Sequence, residues 1–256
     1  MRVHALQVAT VWQDHDATRR LIEARCDNAA FSEGDYVVLG ELCETGFSMN
    51  TDVVCRADSP AWAAQLARRH RVWLQFGCAL RERGRVSNAA VVFAPDGVIA
   101  AVYRKCMLFT PGGEQNAYTA GGDPIIVDTG RMKVAPMICY DLRFPELWRR
   151  ATLAGAELLA IGACWPARRA HHWGSLLIAR AIENQAWVVA ANSCGTEPTG
   201  PCAGESQIIT HDGAVVSVIR SGDGVASADL DLDALRRWRQ GFPALRDARR
   251  AHLGLS

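Results

Sequence analysis

A chain of 256 residues, 49% hydrophobic and 21% charged, carries enough apolar material for one large core, which excludes an intrinsically disordered polymer. Its 28 basic and 27 acidic residues are mixed along the chain and leave a formal charge of +1, excluding the electrostatic footprint of a nucleic-acid or anionic-membrane binder. The longest apolar stretches, such as Ala186 to Ala191, are too short to span a bilayer, and Met1-Arg2-Val3-His4-Ala5-Leu6 lacks a signal-peptide pattern, so a cytoplasmic protein is expected.

Without a linker, repeat or low-complexity segment, the chain reads as a single domain over residues 1–256. Val3 to Val11 reads as a strand and Ala17 to Cys26 as a helix. Tyr36 to Leu39 is a short apolar strand running directly into Gly40-Glu41. A helix starts at Ser59-Pro60, where Ser caps and Pro suits the first turn. Strands follow at Val72 to Leu80 and Ala89 to Phe93, and Pro95-Asp96-Gly97 turns the latter into Val98 to Tyr103. Val134 to Ile138 is a strand ending at Cys139, with a helix over Pro145 to Ala154. Further strands are expected at Leu158 to Ile161, Trp187 to Ala191, Ser206 to Ile209 and Val215 to Ile219, the last two joined by His211-Asp212-Gly213. This mixture predicts a layered α/β or α+β architecture with both sheet faces covered, and periodicity alone does not choose the topology.

Nine cysteines stand singly at 26, 43, 55, 78, 106, 139, 164, 194 and 202, with no CxxC pair or Cys/His cluster at metal-ligand spacing. They read as reduced thiols, mostly small core residues, with Cys43–Cys106 or Cys139–Cys164 open as redox pairs. Three reactive groups share one placement, just past an apolar strand where such folds build sites: Glu41, Lys105 and Cys139. Each alone is a weak signal, since a strand-end Glu or Lys also suits a solvated rim and a Cys also suits packing.

The segment Cys139-Tyr140-Asp141-Leu142-Arg143-Phe144-Pro145-Glu146 closely resembles the nucleophile signature of the nitrilase, or carbon–nitrogen hydrolase, superfamily. Glu41-Leu42-Cys43-Glu44-Thr45-Gly46-Phe47 resembles its catalytic-glutamate motif and Tyr103-Arg104-Lys105-Cys106-Met107-Leu108-Phe109 its lysine motif. Glu114, four before Tyr118 and seven before Gly121, matches the second glutamate. Trp165-Pro166, Ala179-Arg180-Ala181-Ile182-Glu183-Asn184-Gln185 and Gly204-Glu205-Ser206 are similar to later signatures, and the branch resembled is that of the omega-amidases. Gly40 departs from the usual Pro, Met107 from His, and Cys164 from the Asn before Trp-Pro. These changes touch the pocket walls and leave the catalytic side chains in place.

The resemblance implies a four-layer αββα sandwich of α+β class, a homodimer packed through the helix after Cys139 and the C-terminal segment, and chemistry without a metal or organic cofactor. It implies Cys139 as nucleophile, Glu41 as proton carrier, Lys105 and the Tyr140 backbone N–H as oxyanion donors, and Glu114 orienting Lys105 and the substrate nitrogen. Phe47, Tyr118 and Trp165, within the matched segments, are expected with Arg143 to contact substrate. Arg143 either binds a substrate carboxylate bidentately or forms an ion pair with Glu146 or Asp141. His171-His172, after Arg168-Arg169, read as surface or interface residues, and Arg236, Arg237, Arg239, Arg246, Arg249 and Arg250 as a basic C-terminal face towards a partner subunit. The expected reaction is hydrolysis of a short dicarboxylic monoamide such as 2-oxoglutaramate or 2-oxosuccinamate. Its rivals are another amide, nitrile or N-carbamoyl substrate, acyl transfer to an amine, and a catalytically silent binding protein.

Overall fold

The computed structural model describes residues 1–248, so Arg249 and Arg250 of the expected basic segment lie outside the described residues. The chain runs β1 (Arg2–Gln7), α1 (His15–Asp27), β2 (Tyr36–Val38), α2 (Thr51–Val54), α3 (Ser59–His70), β3 (Trp73–Glu82), β4 (Arg85–Phe93) and β5 (Ile99–Arg104). It continues through β6 (Val127–Asp128), β7 (Lys133–Ile138), α4 (Pro145–Leu153), β8 (Leu158–Ala163), α5 (Ala170–Asn184) and β9 (Trp187–Asn192). A small hairpin of β10 (Thr196–Glu197) and β11 (Gly200–Pro201) precedes β12 (Gln207–Ile209), β13 (Val215–Val218), β14 (Gly224–Asp229), α6 (Leu232–Gly241) and α7 (Ala244–Asp247). No described helix is long and apolar enough to cross a membrane.

Two six-stranded mixed sheets result, ordered β14-β1-β2-β3-β4-β5 and β13-β12-β9-β8-β7-β6. In the first, β1, β2 and β3 run parallel; in the second, β7, β8 and β9 do. Side-chain alternation sorts each strand between two cores. Tyr36 and Val38 of β2 face the other sheet, packing with Val134, Leu158, Ala160 and Val189. Val37 and Leu39 face outward against Ile22 of α1 and Ala63 and Leu66 of α3. Beyond the second sheet, Trp148 of α4 and Trp173 and Leu177 of α5 cover Met137, Leu159 and Val188. Helix, sheet, sheet and helix therefore form the four expected layers, an α+β sandwich. Both faces of each central strand are covered, which is why segments such as Val37-Val38-Leu39 and Leu158–Ala163 are continuously apolar.

The first strand ends at Gln7, short of the expected Val11, because the chain turns away. Ala9 N–H donates to Asp223 and Val8 O accepts from Cys194 N–H. Besides the two-residue strands β6, β10 and β11, the strand missed from the sequence is β14, whose Gly-Val-Ala-Ser-Ala-Asp run is small and mixed yet pairs with all of β1.

The parallel central strands send the segments after β2, β7, β8 and β9 to one end of the sandwich, where the two sheets close on each other. A Cβ at Gly77 would lie 2.1 Å from Gly40 O, and one at Gly162 would lie 2.4 Å from Leu39 O. Strand-end backbone from β2 is thus wedged between glycines of β3 and β8, which brings Glu41 on one sheet within reach of the segments after β7 and β8 on the other.

After β7 a short 3₁₀ turn spans Cys139–Arg143. Asp141 holds it: Ile138 N–H donates to Oδ2 at 3.0 Å, Met107 N–H to Oδ1 at 2.9 Å and Tyr103 O–H to Oδ2 at 2.8 Å. Arg180 of α5 donates from Nε and Nη2 to Leu142 O at 3.1 and 2.8 Å, fastening the far side of the same turn. These contacts hold Cys139 at φ 40°, a left-handed conformation costing a non-glycine residue about 1–3 kcal/mol. Burial pushes the Asp141 carboxyl up from 3.8 to about 6, against the opposing charge of Lys105 and the three hydrogen bonds the carboxylate accepts.

Gly77→Ala and Gly162→Ala should each lose about 3 kcal/mol in urea unfolding, because the new methyl meets a carbonyl on a strand that cannot retreat. Gly174→Ala in α5, where nothing lies within 4 Å of the added methyl, should gain up to about 1 kcal/mol. Equal effects at the three sites would remove the argument for a tight closure. Asp141→Asn puts an amide N–H against groups that donate, at a cost of about 1–3 kcal/mol. The folded-state value of Asp141 lies above the unfolded one, so its contribution to stability is full below pH 3.8 and is lost as pH rises through about 6. The stability advantage of wild type over Asp141→Asn should therefore shrink between pH ~4.5 and pH ~7.5, and an advantage that grew would contradict the assignment.

Candidate active site

Glu41, Lys105 and Glu114 meet at the closed end of the sandwich, each at most 1% exposed. Lys105 follows β5, and its Nζ donates to Glu41 Oε1 at 2.7 Å and to Glu114 Oε1 and Oε2 at 3.0 and 2.8 Å. Asn88, a fully buried residue of β4, bridges both carboxylates: its Nδ2 lies 2.8 Å from Glu41 Oε1 and 2.8 Å from Glu114 Oε1. Phe109 N–H donates to Glu114 Oε2 and Cys164 N–H to Glu41 Oε2, so each carboxylate is tied to backbone. Burial alone would lower the Lys105 pKa, but the Glu41 and Glu114 charges outweigh it and hold the ammonium above its ordinary range.

Cys139 is half-buried at the floor of the same site, lining it together with Glu41 and Lys105. Burial, and after it the negative charge of Glu41, push this thiol well above its ordinary pKa; Lys105 pulls the other way and loses. The resting sulfur is protonated.

Above these groups opens a cavity of about 360 Å³, at the small end of the range for ligand sites. Trp12, Phe47, Met49, Phe109, Tyr140 and Trp165 give it apolar walls. Lys105 Nζ lies 5.1 Å from the centre of the Phe47 ring. Arg143 also lines the cavity, its guanidinium 4.8 Å from the centre of the Trp165 ring and its Nη2 3.2 Å from His172 Nδ1. Among the described residues it has no carboxylate partner, so the ion pair with Glu146 or Asp141 is not formed. Arg168 and Arg169 line the same mouth. Burial, then the charges of Arg168 and Arg143, lower the Arg169 pKa, which marks the three as one electropositive group. Four cationic residues (Lys105, Arg143, Arg168, Arg169) thus face two carboxylates (Glu41, Glu197) around the cavity.

Eight of the nine residues singled out from the sequence gather here. Tyr118 stands apart from the cavity lining: it is buried with Leu42, Val54 and Val86, and its hydroxyl donates to Ser48 O at 2.6 Å. Its place is under the loop that carries Phe47, so any effect on substrate passes through that loop. Sequence reasoning missed Asn88, Glu197, Cys202 and the cavity-facing role of Arg168 and Arg169. Asn88 had a signal, a lone amide in the apolar strand run Val86 to Phe93. The others come from loops whose path only the fold defines. All nine cysteines are free thiols.

The chain matches the family described as "Carbon-nitrogen hydrolase" over residues 2–240. It is 37% identical to a 2-oxoglutaramate amidase of Bacillus subtilis, over 84% of this chain and 85% of that one. It is 32% identical to omega-amidase YafV of Escherichia coli, over 97% of this chain and 96% of that one. Among solved structures, a CN-hydrolase superfamily protein of Xanthomonas campestris, with an arsenic adduct in its active site, superposes with a TM-score of 0.90. That protein is 32% identical, and 97% of each chain is covered. By sequence and by fold alike, the chain belongs to the carbon–nitrogen hydrolase family.

Proposed function

We propose that the protein hydrolyses the terminal amide of a short 2-oxo dicarboxylic acid monoamide, 2-oxoglutaramate or 2-oxosuccinamate, to the diacid and ammonia. The observation that carries this reading is the cluster of Arg143, Arg168 and Arg169 at the mouth of a small, apolar-walled cavity whose floor holds Cys139, Glu41 and Lys105. A substrate with an amide at one end and a carboxylate at the other spans those two regions. The names of the Bacillus subtilis and Escherichia coli relatives support the same class.

In the reaction, Cys139 passes its proton to Glu41 as sulfur bonds to the amide carbon. Lys105 and the Tyr140 backbone N–H stabilise the oxyanion, and Glu41 then protonates the nitrogen as the C–N bond breaks. Ammonia leaves a thioester on Cys139. Glu41 next takes a proton from water as the water oxygen attacks, the C–S bond breaks, and the proton returns to sulfur. Lys105 has three N–H groups and all are engaged, two on Glu114. The longer of these two, at 3.0 Å, is the one most easily redirected to a developing oxyanion. Glu114 keeps the ammonium oriented in either state, and Asn88 keeps the two carboxylates in register. The protein acts as a cytoplasmic homodimer joined through α4 and the C-terminal segment; Trp238 and Phe242, 44% and 59% exposed, supply apolar surface for that contact.

Ammonia release should be strongest with the two oxo-acid monoamides in a panel that adds glutamine, asparagine, a simple nitrile and an N-carbamoyl amino acid, and Cys139→Ala should abolish it. Turnover confined to the nitrile or the carbamoyl compound would replace the specificity. Arg143→Ala should raise KM for 2-oxoglutaramate about 10- to 100-fold, the loss of a charge-assisted hydrogen bond, and leave an uncharged amide unaffected. An unchanged KM would detach Arg143 from the substrate carboxylate. Asn88→Ala should lower kcat about 10- to 100-fold with KM nearly constant, because it disorders groups that act in the transition state.

A further inference from the structure

Three cysteines line the cavity, and the mechanism uses one. The other two, Cys164 and Cys202, lie beside Glu197 so that their two Sγ atoms and a Glu197 carboxylate oxygen are all within 4.8 Å of one another. Three separate segments build this cluster. Cys164 directly follows β8, Glu197 lies in β10, and Cys202 directly follows β11. Backbone fixes them together: Cys202 N–H donates to Gly195 O at 2.9 Å, Ala203 N–H to Trp165 O at 2.7 Å, and Cys202 pairs with Pro166 in an isolated bridge. Phe47 N–H donates to Glu197 Oε1 at 2.6 Å, which orients the carboxylate from behind.

We propose that Cys164, Cys202 and Glu197 form a zinc site that inhibits the enzyme. Two thiolates and one carboxylate match the donor preference of Zn²⁺ and disfavour Mg²⁺ or Ca²⁺, which want oxygen alone. Tetrahedral zinc with Zn–S bonds of about 2.3 Å needs donors roughly 3.8 Å apart, so side-chain adjustment of about 1 Å closes the site. Binding expels the two thiol protons to solvent, and occupancy rises with pH. The position explains inhibition. Cys164 Sγ donates to Glu41 O at 3.1 Å and its N–H to Glu41 Oε2 at 3.2 Å. Zinc removes the first of these contacts, sets a dication beside the carboxylate that must accept the nucleophile's proton, and fills part of the cavity. The inhibition, though not the binding, rests on the hydrolase reading above.

The experiment uses reduced full-length protein carrying Cys139→Ala, so that the nucleophile itself contributes no ligand. Titration with Co²⁺ should give one equivalent of thiolate-to-cobalt charge-transfer absorption, displaced by Zn²⁺. Adding Cys202→Ser or Glu197→Gln should weaken Zn²⁺ at least ~10-fold, and circular dichroism identifies a variant that has failed to fold. In protein with Cys139 intact, Zn²⁺ should stop ammonia release, and Cys202→Ser should shift that inhibition to higher zinc by the same factor. The proposal is overturned by loss of cobalt absorption on Cys139→Ala alone, or by undiminished binding in both folded second-site variants. The cobalt titration needs no substrate, so its failure is distinct from a wrong substrate class.

Discussion

An ammonium group 1% exposed inside a protein persists only if its charge is met, and in this fold Lys105 is met by two carboxylates as dry as itself. Desolvating three charges costs several kcal/mol for each, which the mutual attraction and a closed set of hydrogen bonds offset. The set is unusually complete: every Lys105 proton has an acceptor, and both carboxylates also accept from Asn88 and from backbone N–H groups. Removal of one member leaves the others charged and unpaired, so the cluster behaves as a unit in stability as well as in chemistry. Its net charge is one negative, two carboxylates against one ammonium. The Glu41 charge adds to burial in opposing ionisation of the Cys139 thiol, and Lys105 only partly offsets it.

The sandwich is built around delivering these groups to one another. Glu41 belongs to the first sheet and Cys139 to the second, and no single strand could present both. Contact depends on how closely the sheets approach at the carboxyl ends of β2, β7 and β8, and that approach is set by the absent side chains of Gly77 and Gly162. Packing and catalysis are here one constraint. Asp141 and Arg180 add the last adjustment by holding the strained turn that carries Cys139, while the α4 and α5 helices that cover the second sheet supply the apolar surroundings that raise the Asp141 carboxyl.

Much of this was legible in the chain because the reactive residues sit at fixed offsets from apolar strands. Glu41, Lys105 and Cys139 each follow such a run, and the strand positions expected for β2, β3, β7, β8 and β9 agree with the structure to within a residue or two. The strand β14 was not legible, since its small and polar residues gain their pairing only from β1, more than two hundred residues away. Nor was the placement of Tyr118, whose neighbourhood in sequence to Glu114 suggested the pocket although its ring packs below it. In the sequence Arg168 and Arg169 stand out only as the residues ahead of His171-His172, with no sign of a cavity role. Their cavity role follows from where the loop after β8 runs, and that path is held by Trp165 N–H to Asn192 Oδ1 at 2.7 Å, Ala203 N–H to Trp165 O at 2.7 Å and Trp165 Nε1–H to Arg169 O at 2.8 Å.

The departures from the family pattern now acquire a physical meaning. Gly40 stands where a Cβ would meet Ala163 O at 3.2 Å, so its glycine relaxes the contact between the end of β2 and β8. Cys164 is a different case, because the site asks of that position chiefly a backbone N–H, which any residue except proline supplies. The side chain is then free to vary without disturbing Glu41's hydrogen bond, and here it is a thiol beside a second thiol and a carboxylate. A catalytic centre that recruits backbone for its fixed contacts leaves its side chains available for other chemistry, and metal binding at its rim can appear through one substitution. The same reasoning separates what this fold must keep from what it can change: the buried charges and the two glycines are coupled to everything around them, whereas wall residues such as Phe47 and Trp165 are tied in through backbone N–H groups that leave their side chains to the cavity.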